Sequence, residues 1–144
     1  MRELNDLYQA VLLDHARQPR NHRRMENATA IGEGNDPLCG DRCTVYLEMA
    51  GGVIKDVSFE GSGCAIMLAT ASLMTVALMG RTLEQAHDVA EQFGEMLTNG
   101  GLDEDGLGDL AALAGVRDLP SRIKCAMLPC RSMKSALQKE KSGN

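Results

Sequence analysis

The stretch Cys43 to Phe59, CTVYLEMAGGVIKDVSF, predicts a β-hairpin and decides how the rest of the chain is arranged. Its first half, 43–49, alternates apolar and polar residues, which is the pattern of a strand with one buried face. Ala50, Gly51 and Gly52 supply a tight turn, and Val53 to Phe59 returns as a second strand. The buried face of the first strand is predicted to carry Cys43, Val45, Leu47 and Met49.

Four helices are predicted around this hairpin from the spacing of apolar residues. They cover Glu3 to Ala16, Cys64 to Met79, Thr82 to Leu97 with Thr82 as N-cap, and Ala126 to Gln138. The segment Thr29 to Asn35 is a weaker strand candidate, because Gly32 and Gly34 lower its propensity. Thr98 to Gly108 is rich in Gly and Asp and is predicted to be a loop, followed by one or two helical turns in Asp109 to Ala114.

This order of elements predicts an α+β fold, a small antiparallel β-sheet with helices packed on one face. The strands do not alternate with helices, which argues against a parallel doubly wound sheet. With 144 residues, the chain is predicted to form a single domain, 1–144. Only 3% of the residues are aromatic, so the core must be built from aliphatic side chains and methionine.

Composition also restricts the partners and the location of the protein. The net charge of -5 argues against nucleic acid. No signal peptide is recognised at the start, and the apolar part of the longest uncharged run, Gly61 to Gly80, is too short for a bilayer. We therefore expect no membrane association. Five cysteines without a secretion signal indicate reduced thiols in a cytoplasmic protein.

Three cysteines and one aspartate are candidate metal ligands, because each lies at a turn or near a predicted helix start. They are Cys39 and Asp41 in PLCGDR, Cys64 in GSGCAI and Cys125 in RIKCAM. Three thiolates and a carboxylate could close one tetrahedral site for zinc or for an iron–sulfur cluster. No pair has zinc-finger spacing, so spacing alone is a weak signal of a metal site.

Neighbouring residues predict how two of these cysteines are placed. Gly63 breaks the chain before the second helix, so Cys64 is expected in its first turn. Pro129 lacks an N–H and would clash inside a helix, so it is expected only in the first turn. The last helix is therefore predicted to start no earlier than Ala126, with Cys125 at its N-terminus. Both thiols would then face unpaired N–H groups and the positive end of a helix dipole, which favours the thiolate.

The other two candidates share the turn-forming stretch NDPLCGD. Gly40 lets the backbone bend, so the side chains of Cys39 and Asp41 can reach one ion. Cys39 is expected to be mobile in this stretch.

Four stretches together resemble the U-type iron–sulfur cluster assembly proteins. They are DHARQPRN (14–21), NDPLCGDR (35–42), FEGSGCAIMLATASLM (59–74) and LPSRIKCAM (119–127). Within this family the chain resembles the SufU branch more than the IscU branch. It has an insertion around Thr98 to Asp118, and Lys124 stands where IscU-type scaffolds carry a histidine ligand. Arg122 also matches the SufU branch.

The resemblance implies a SufE/NifU-like fold and a zinc site built from Cys39, Asp41, Cys64 and Cys125. It implies a zinc-dependent acceptor and carrier of persulfide sulfur from a SufS-like cysteine desulfurase, with downstream iron–sulfur assembly proteins as further partners. Cys39 is the implied sulfur acceptor, and Arg122 is a candidate for an auxiliary catalytic role. If the protein is an enzyme, it is a zinc-dependent sulfurtransferase; the sequence does not decide this.

Two other functions stay open at this point. The protein could be a scaffold that assembles and transfers a [2Fe-2S] cluster on the same ligands, with Cys39, Cys64 and Cys125 bound to iron. It could also be a zinc-stabilised binding module without transfer chemistry. The remaining candidates are expected to be structural or solvated: Cys43 in the core, Cys130 as a packing residue, and His15, His22 and His87.

Overall fold

The computed structural model of the protein describes residues 2–37, 40–99 and 105–142. It has the predicted α+β architecture, a small sheet with helices packed against it. In chain order the elements are α1 (Arg2–Arg17), β1 (Ala30–Asn35), β2 (Arg42–Ala50), β3 (Val53–Ser62), α2 (Ala65–Leu78), α3 (Leu83–Asn99), a 3-10 segment (Asp105–Asp118) and α4 (Pro120–Ser142).

The sheet is antiparallel, with the strand order β1-β2-β3. The predicted hairpin is confirmed, because β2 pairs with β3 and places Val45 opposite Phe59. Gly51 and Gly52 turn the chain with φ angles of 61° and 84°, a region that glycine enters without steric cost. Cys43, Val45 and Leu47 are buried on the predicted inner face.

The helices form the second layer. α4 packs against β1 and β2, and α2 packs against β3, while α1 and α3 contact α2 and α4 respectively. α2 is buried through most of its length, as its nearly continuous apolar sequence predicts. Within the described residues, no helix is long and apolar enough to cross a membrane.

The start of α3 confirms Thr82 as an N-cap. The Thr82 hydroxyl accepts the backbone N–H of Gln85 at 3.1 Å, and the Gln85 side-chain oxygen accepts the backbone N–H of Thr82 at 3.1 Å. This reciprocal pair is a capping box, which satisfies two donors at the helix start.

The glycines of β1 do not prevent it from forming a strand. α4 crosses β1 so closely that a Cβ atom on Gly32 would lie 2.0 Å from the Ser132 carbonyl oxygen. A Cβ atom on Gly34 would lie 2.7 Å from the Ser132 hydroxyl. The glycines therefore serve the contact between strand and helix, which sequence propensity does not register.

The predicted start of the last helix is wrong. α4 begins at Pro120, and Pro129 lies inside the helix. Proline suits the first position of a helix, and Pro120 rather than the region of Ala126 provides the start of α4. Pro129 removes the N–H that would bond the carbonyl of Cys125, but burial of α4 against the sheet and the other helices holds the helix together.

The insertion before α4 is more helical than predicted. α3 continues to Asn99, and residues 100–104 of the predicted loop lie outside the described residues. The chain then forms the 3-10 segment, which is interrupted at Gly108 with a φ of 56°. Its buried leucines, Leu107, Leu110 and Leu113, join the core, and this tertiary contact explains why it is longer than the predicted turn.

Candidate metal centre

One end of the sheet brings together three of the four predicted ligands. One ligand atom each from Asp41, Cys64 and Cys125 lies within 4.8 Å of the others. Asp41 and Cys125 are buried, and Cys64 is half-buried. Two thiols and one carboxylate are a donor set that zinc and iron both accept. No other such group of three is found among the described residues.

Cys64 occupies the N-cap position of α2. Its backbone is extended, with φ -74° and ψ 168°, and its side chain makes no capping hydrogen bond. The thiol therefore lies at the positive end of the helix dipole and stays available to a ligand. The predicted placement of Cys64 at a helix start is confirmed.

Cys125 is placed differently from the prediction, because it lies beyond the first turn of α4 rather than at its N-terminus. Burial raises the pKa of the Cys125 thiol to about 11, and the neighbouring thiol of Cys64 acts in the same direction. The helix dipole therefore does not supply the thiolate here. A bound cation would, because its charge favours the deprotonated sulfur.

Asp41 enters the cluster from the turn before β2. Gly40, with φ 79°, lets the backbone turn there, as predicted. Asp41 is only 8% exposed, and its Oδ2 atom is buried without a hydrogen-bond partner among the described residues. A buried carboxylate oxygen without a partner is costly. A metal ion coordinated by this oxygen would remove that cost, so the residues present fit a metal.

Cys39 lies outside the described residues, between Pro37 and Gly40, so its place as a fourth ligand stays a prediction. Arg122 is exposed, and it lowers the pKa of the Cys125 thiol against the larger effects of burial and Cys64. Arg122 therefore lies near the cysteines. Lys124 is exposed.

The cysteines that were assigned to packing lie away from the cluster. Cys43 and Cys130 are both fully buried in the core. Burial raises the pKa of Cys43 to about 12 and that of Cys130 to about 11. The thiol of Cys130 is 3.5 Å from the carbonyl oxygen of Ala90. Both cysteines are therefore protonated packing residues, as predicted.

The three histidines also have structural or solvated positions. His15 is buried and hydrogen-bonded to Ser72, His22 stacks on Phe59 with ring centroids 4.5 Å apart, and His87 is exposed. None of them joins the cluster.

Gly63 has a position at the site that the sequence did not predict. The sequence identified it only as a chain break directly before Cys64, but in the structure it lies against the carboxylate of Asp41.

A helix-covered antiparallel sheet with a thiol and carboxylate cluster at its end defines a class of small domains that handle metal or sulfur. The chain belongs to the family of NifU-like N-terminal domains, which matches residues 7–126. This confirms the resemblance to iron–sulfur cluster assembly proteins.

Named relatives include both branches of the family. The chain is 38% identical over 142 residues to the zinc-dependent sulfurtransferase SufU of Bacillus subtilis, covering 98% of this chain and 96% of that protein. It is 35% identical over 133 residues to the iron–sulfur cluster assembly scaffold protein IscU of Thermotoga maritima, covering 92% and 94%. The crystal structure of FiSufU from Fervidobacterium islandicum AW-1 superimposes with a TM-score of 0.83 at 33% identity, covering 88% and 93%.

Proposed function

We propose that the protein is a zinc-dependent acceptor and carrier of persulfide sulfur in iron–sulfur cluster assembly. The observation that carries the proposal is the buried cluster of Asp41, Cys64 and Cys125, whose Asp41 Oδ2 has no partner in the described structure. The identity to a zinc-dependent sulfurtransferase over nearly the whole chain supports zinc as the occupant.

Asp41, Cys64 and Cys125 would hold the zinc ion, with Cys39 as the fourth ligand. The ion supplies positive charge that stabilises thiolates in a buried site. The Cys125 thiol, whose pKa burial raises to about 11, would have to lose its proton to act as a ligand. Arg122 lowers the pKa of the same thiol and would stabilise its charged form.

Cys39 is the proposed sulfur acceptor. Its thiolate attacks the outer sulfur of the cysteine persulfide on a cysteine desulfurase. The sulfur–sulfur bond of the donor breaks, the desulfurase cysteine leaves as a thiolate, and a persulfide forms on Cys39. The chain around it favours this role, because Gly40 follows it with a left-handed backbone and lies exposed at the surface. Arg122, next to the cluster, could stabilise the anionic sulfur.

A SufS-like cysteine desulfurase in the cytoplasm is the proposed donor, and downstream iron–sulfur assembly proteins are the proposed recipients. The net charge of -5 supports protein partners rather than nucleic acid. A domain spanning residues 1–144 would carry the whole activity, and the protein would then act as a zinc-dependent sulfurtransferase.

The second candidate is a scaffold that assembles and transfers a [2Fe-2S] cluster on Cys39, Cys64 and Cys125. The identity to an IscU scaffold protein over most of the chain favours it. Against it, Lys124 stands where IscU-type scaffolds carry a histidine, and no histidine of the described chain joins the cluster. The third candidate function is a zinc-stabilised binding module, which predicts a bound metal ion that does not exchange.

Measurements of metal content and of sulfur transfer distinguish these candidate functions. Protein purified without added iron should be colourless and contain zinc; brown protein with iron and sulfide would instead identify a scaffold. Mixing with a cysteine desulfurase and labelled cysteine should add one sulfur to the peptide that contains Cys39. Cys39→Ser should fold but gain no label. Label on Cys64 or Cys125, or label that persists in Cys39→Ser, would refute Cys39 as the acceptor.

A further inference from the structure

We propose that Gly63 is a positioning residue of the metal centre: the absence of a side chain there lets the Asp41 carboxylate reach the two thiols. The inference rests on the proposed metal-dependent function. Gly63 would then set the geometry of the ligands in addition to breaking the chain before α2.

The contact between Gly63 and Asp41 is too close for any side chain. A Cβ atom on Gly63 would lie 2.7 Å from Cγ and 2.8 Å from Oδ2 of Asp41. Carbon atoms in contact are separated by about 3.5 Å or more. The oxygen that a Cβ atom would displace is the same Oδ2 that is buried without a hydrogen-bond partner. A side chain at this position would therefore move the oxygen that the metal site needs.

The hairpin explains why these two residues meet. In the antiparallel pairing of β2 with β3, Arg42 lies opposite Ser62. One step further along this register places Asp41 opposite Gly63, beyond the end of the ladder. Cys64 follows Gly63 directly as the N-cap of α2. The register of the sheet thus brings the carboxylate ligand and the first thiol ligand to the same point.

Backbone conformation does not explain the glycine. Gly63 is not among the glycines with positive φ, so alanine can adopt its backbone without strain. The second close neighbour is the methyl group of Met67, 2.9 Å from the Cβ position. Met67 is fully buried, which limits how far it can move away. The carboxylate and the methionine therefore share the space that a side chain at position 63 would occupy.

The variant Gly63→Ala tests this role. Its zinc affinity, measured by competition with a chromophoric chelator, should fall by about tenfold or more, the usual effect of disturbing a residue that orients a ligand. The visible absorption bands of the Co²⁺-loaded variant should also shift, because the carboxylate leaves the coordination sphere. Gly115→Ala is the matched control, since a Cβ atom there meets no atom within 4 Å, and it should change neither measurement.

A double-variant cycle shows whether the effect passes through the carboxylate. In an Asp41→Ala background, Gly63→Ala should cause little further loss of zinc affinity. An equal loss in both backgrounds, or an unchanged affinity and Co²⁺ spectrum in Gly63→Ala, would overturn the inference. Folded wild-type protein that binds no zinc would instead refute the proposed function itself.

A second variant keeps the inference testable if Gly63→Ala does not fold. Asp41→Glu leaves Gly63 intact but adds a methylene group to the carboxylate side chain in the same confined space. Its Co²⁺ spectrum should shift as in Gly63→Ala. A spectrum identical to that of the wild type would show that the space over Gly63 does not set the ligand geometry.

Discussion

The side-chain hydroxyl of Ser72 on α2 lies 2.7 Å from Nδ1 of His15 on α1. The same hydroxyl accepts the backbone N–H of Arg20 at 2.7 Å, so Ser72 connects α2 to α1 and to the segment that follows it. Burial lowers the pKa of His15, and the charge of Arg20 acts in the same direction, while Asp14 and Asp109 oppose the shift.

The lowered pKa of His15 predicts a loss of stability in mild acid. A histidine with a lowered pKa in the folded state contributes its full stability above its unfolded pKa near 6.5. That contribution is lost as the pH falls through the lower folded pKa. His15→Gln, which does not titrate, should show a weaker fall in urea midpoint over this range than the wild type. The exposed His87→Gln is the control and should follow the wild type; equal slopes for His15→Gln and wild type would contradict the prediction.

The cysteines should divide into two groups in metal binding. Cys64→Ser and Cys125→Ser should each lower the zinc content of purified protein, because each removes a ligand of the cluster. Cys43→Ala and Cys130→Ala should keep full zinc content and lose only about 1 kcal/mol of unfolding free energy from lost burial. Metal analysis and urea unfolding of the four variants check this. Loss of zinc in Cys43→Ala together with retention in Cys125→Ser would show that the site is misassigned.

Chelation should lower the melting temperature without unfolding the protein. Zinc binding contributes about 10 kcal/mol or more in small zinc-finger peptides, which have little core of their own. Here the buried residues of the sheet and helices form a continuous core that does not depend on the metal. Circular dichroism melts before and after complete metal removal measure the difference. Identical melting curves would argue against the metal centre.

Asp41→Ala should bind zinc more weakly but still measurably, since the thiols remain. Removing the only carboxylate of the described cluster should also change how fast the metal exchanges and how fast sulfur is transferred. Stopped-flow chelation and labelled-sulfur transfer provide the two rates. If both rates match those of the wild type, Asp41 has no part in the mechanism.

Gly32→Ala should strongly destabilise the fold. Its Cβ atom would lie 2.0 Å from the carbonyl oxygen of Ser132, and backbone atoms cannot move aside as a side chain can. We expect the free energy of unfolding to fall by about 3 kcal/mol or more, which is at or above the largest usual cost of adding atoms to a packed core. Gly94→Ala on α3 is the control, because a Cβ atom there would lie 3.9 Å from the side-chain ends of Lys134 and Met127, and alanine favours a helix. A similar stability for both variants would contradict the close contact of β1 with α4.

Local sequence was sufficient for the elements whose pattern is decided by their own residues. The hairpin of β2 and β3 followed from alternation and from Gly51 and Gly52, and the start of α3 followed from Thr82. These features depend on residues close together in the chain, so tertiary contacts reinforce them rather than change them. The candidate ligands were also predicted from the sequence, because the three cysteines and Asp41 lie beside glycines or near predicted helix starts.

Tertiary contacts determined the structure at positions where the local sequence favoured a different conformation. β1 forms a strand despite Gly32 and Gly34, because α4 needs the space that side chains would fill. α4 runs through Pro129, because packing along the helix outweighs one missing hydrogen bond, and this moved Cys125 away from the helix end. The meeting of Asp41, Cys64 and Cys125 depends on the register of the hairpin and on the approach of α4. These residues are far apart in the chain, and only the packed fold brings them within reach of one ion.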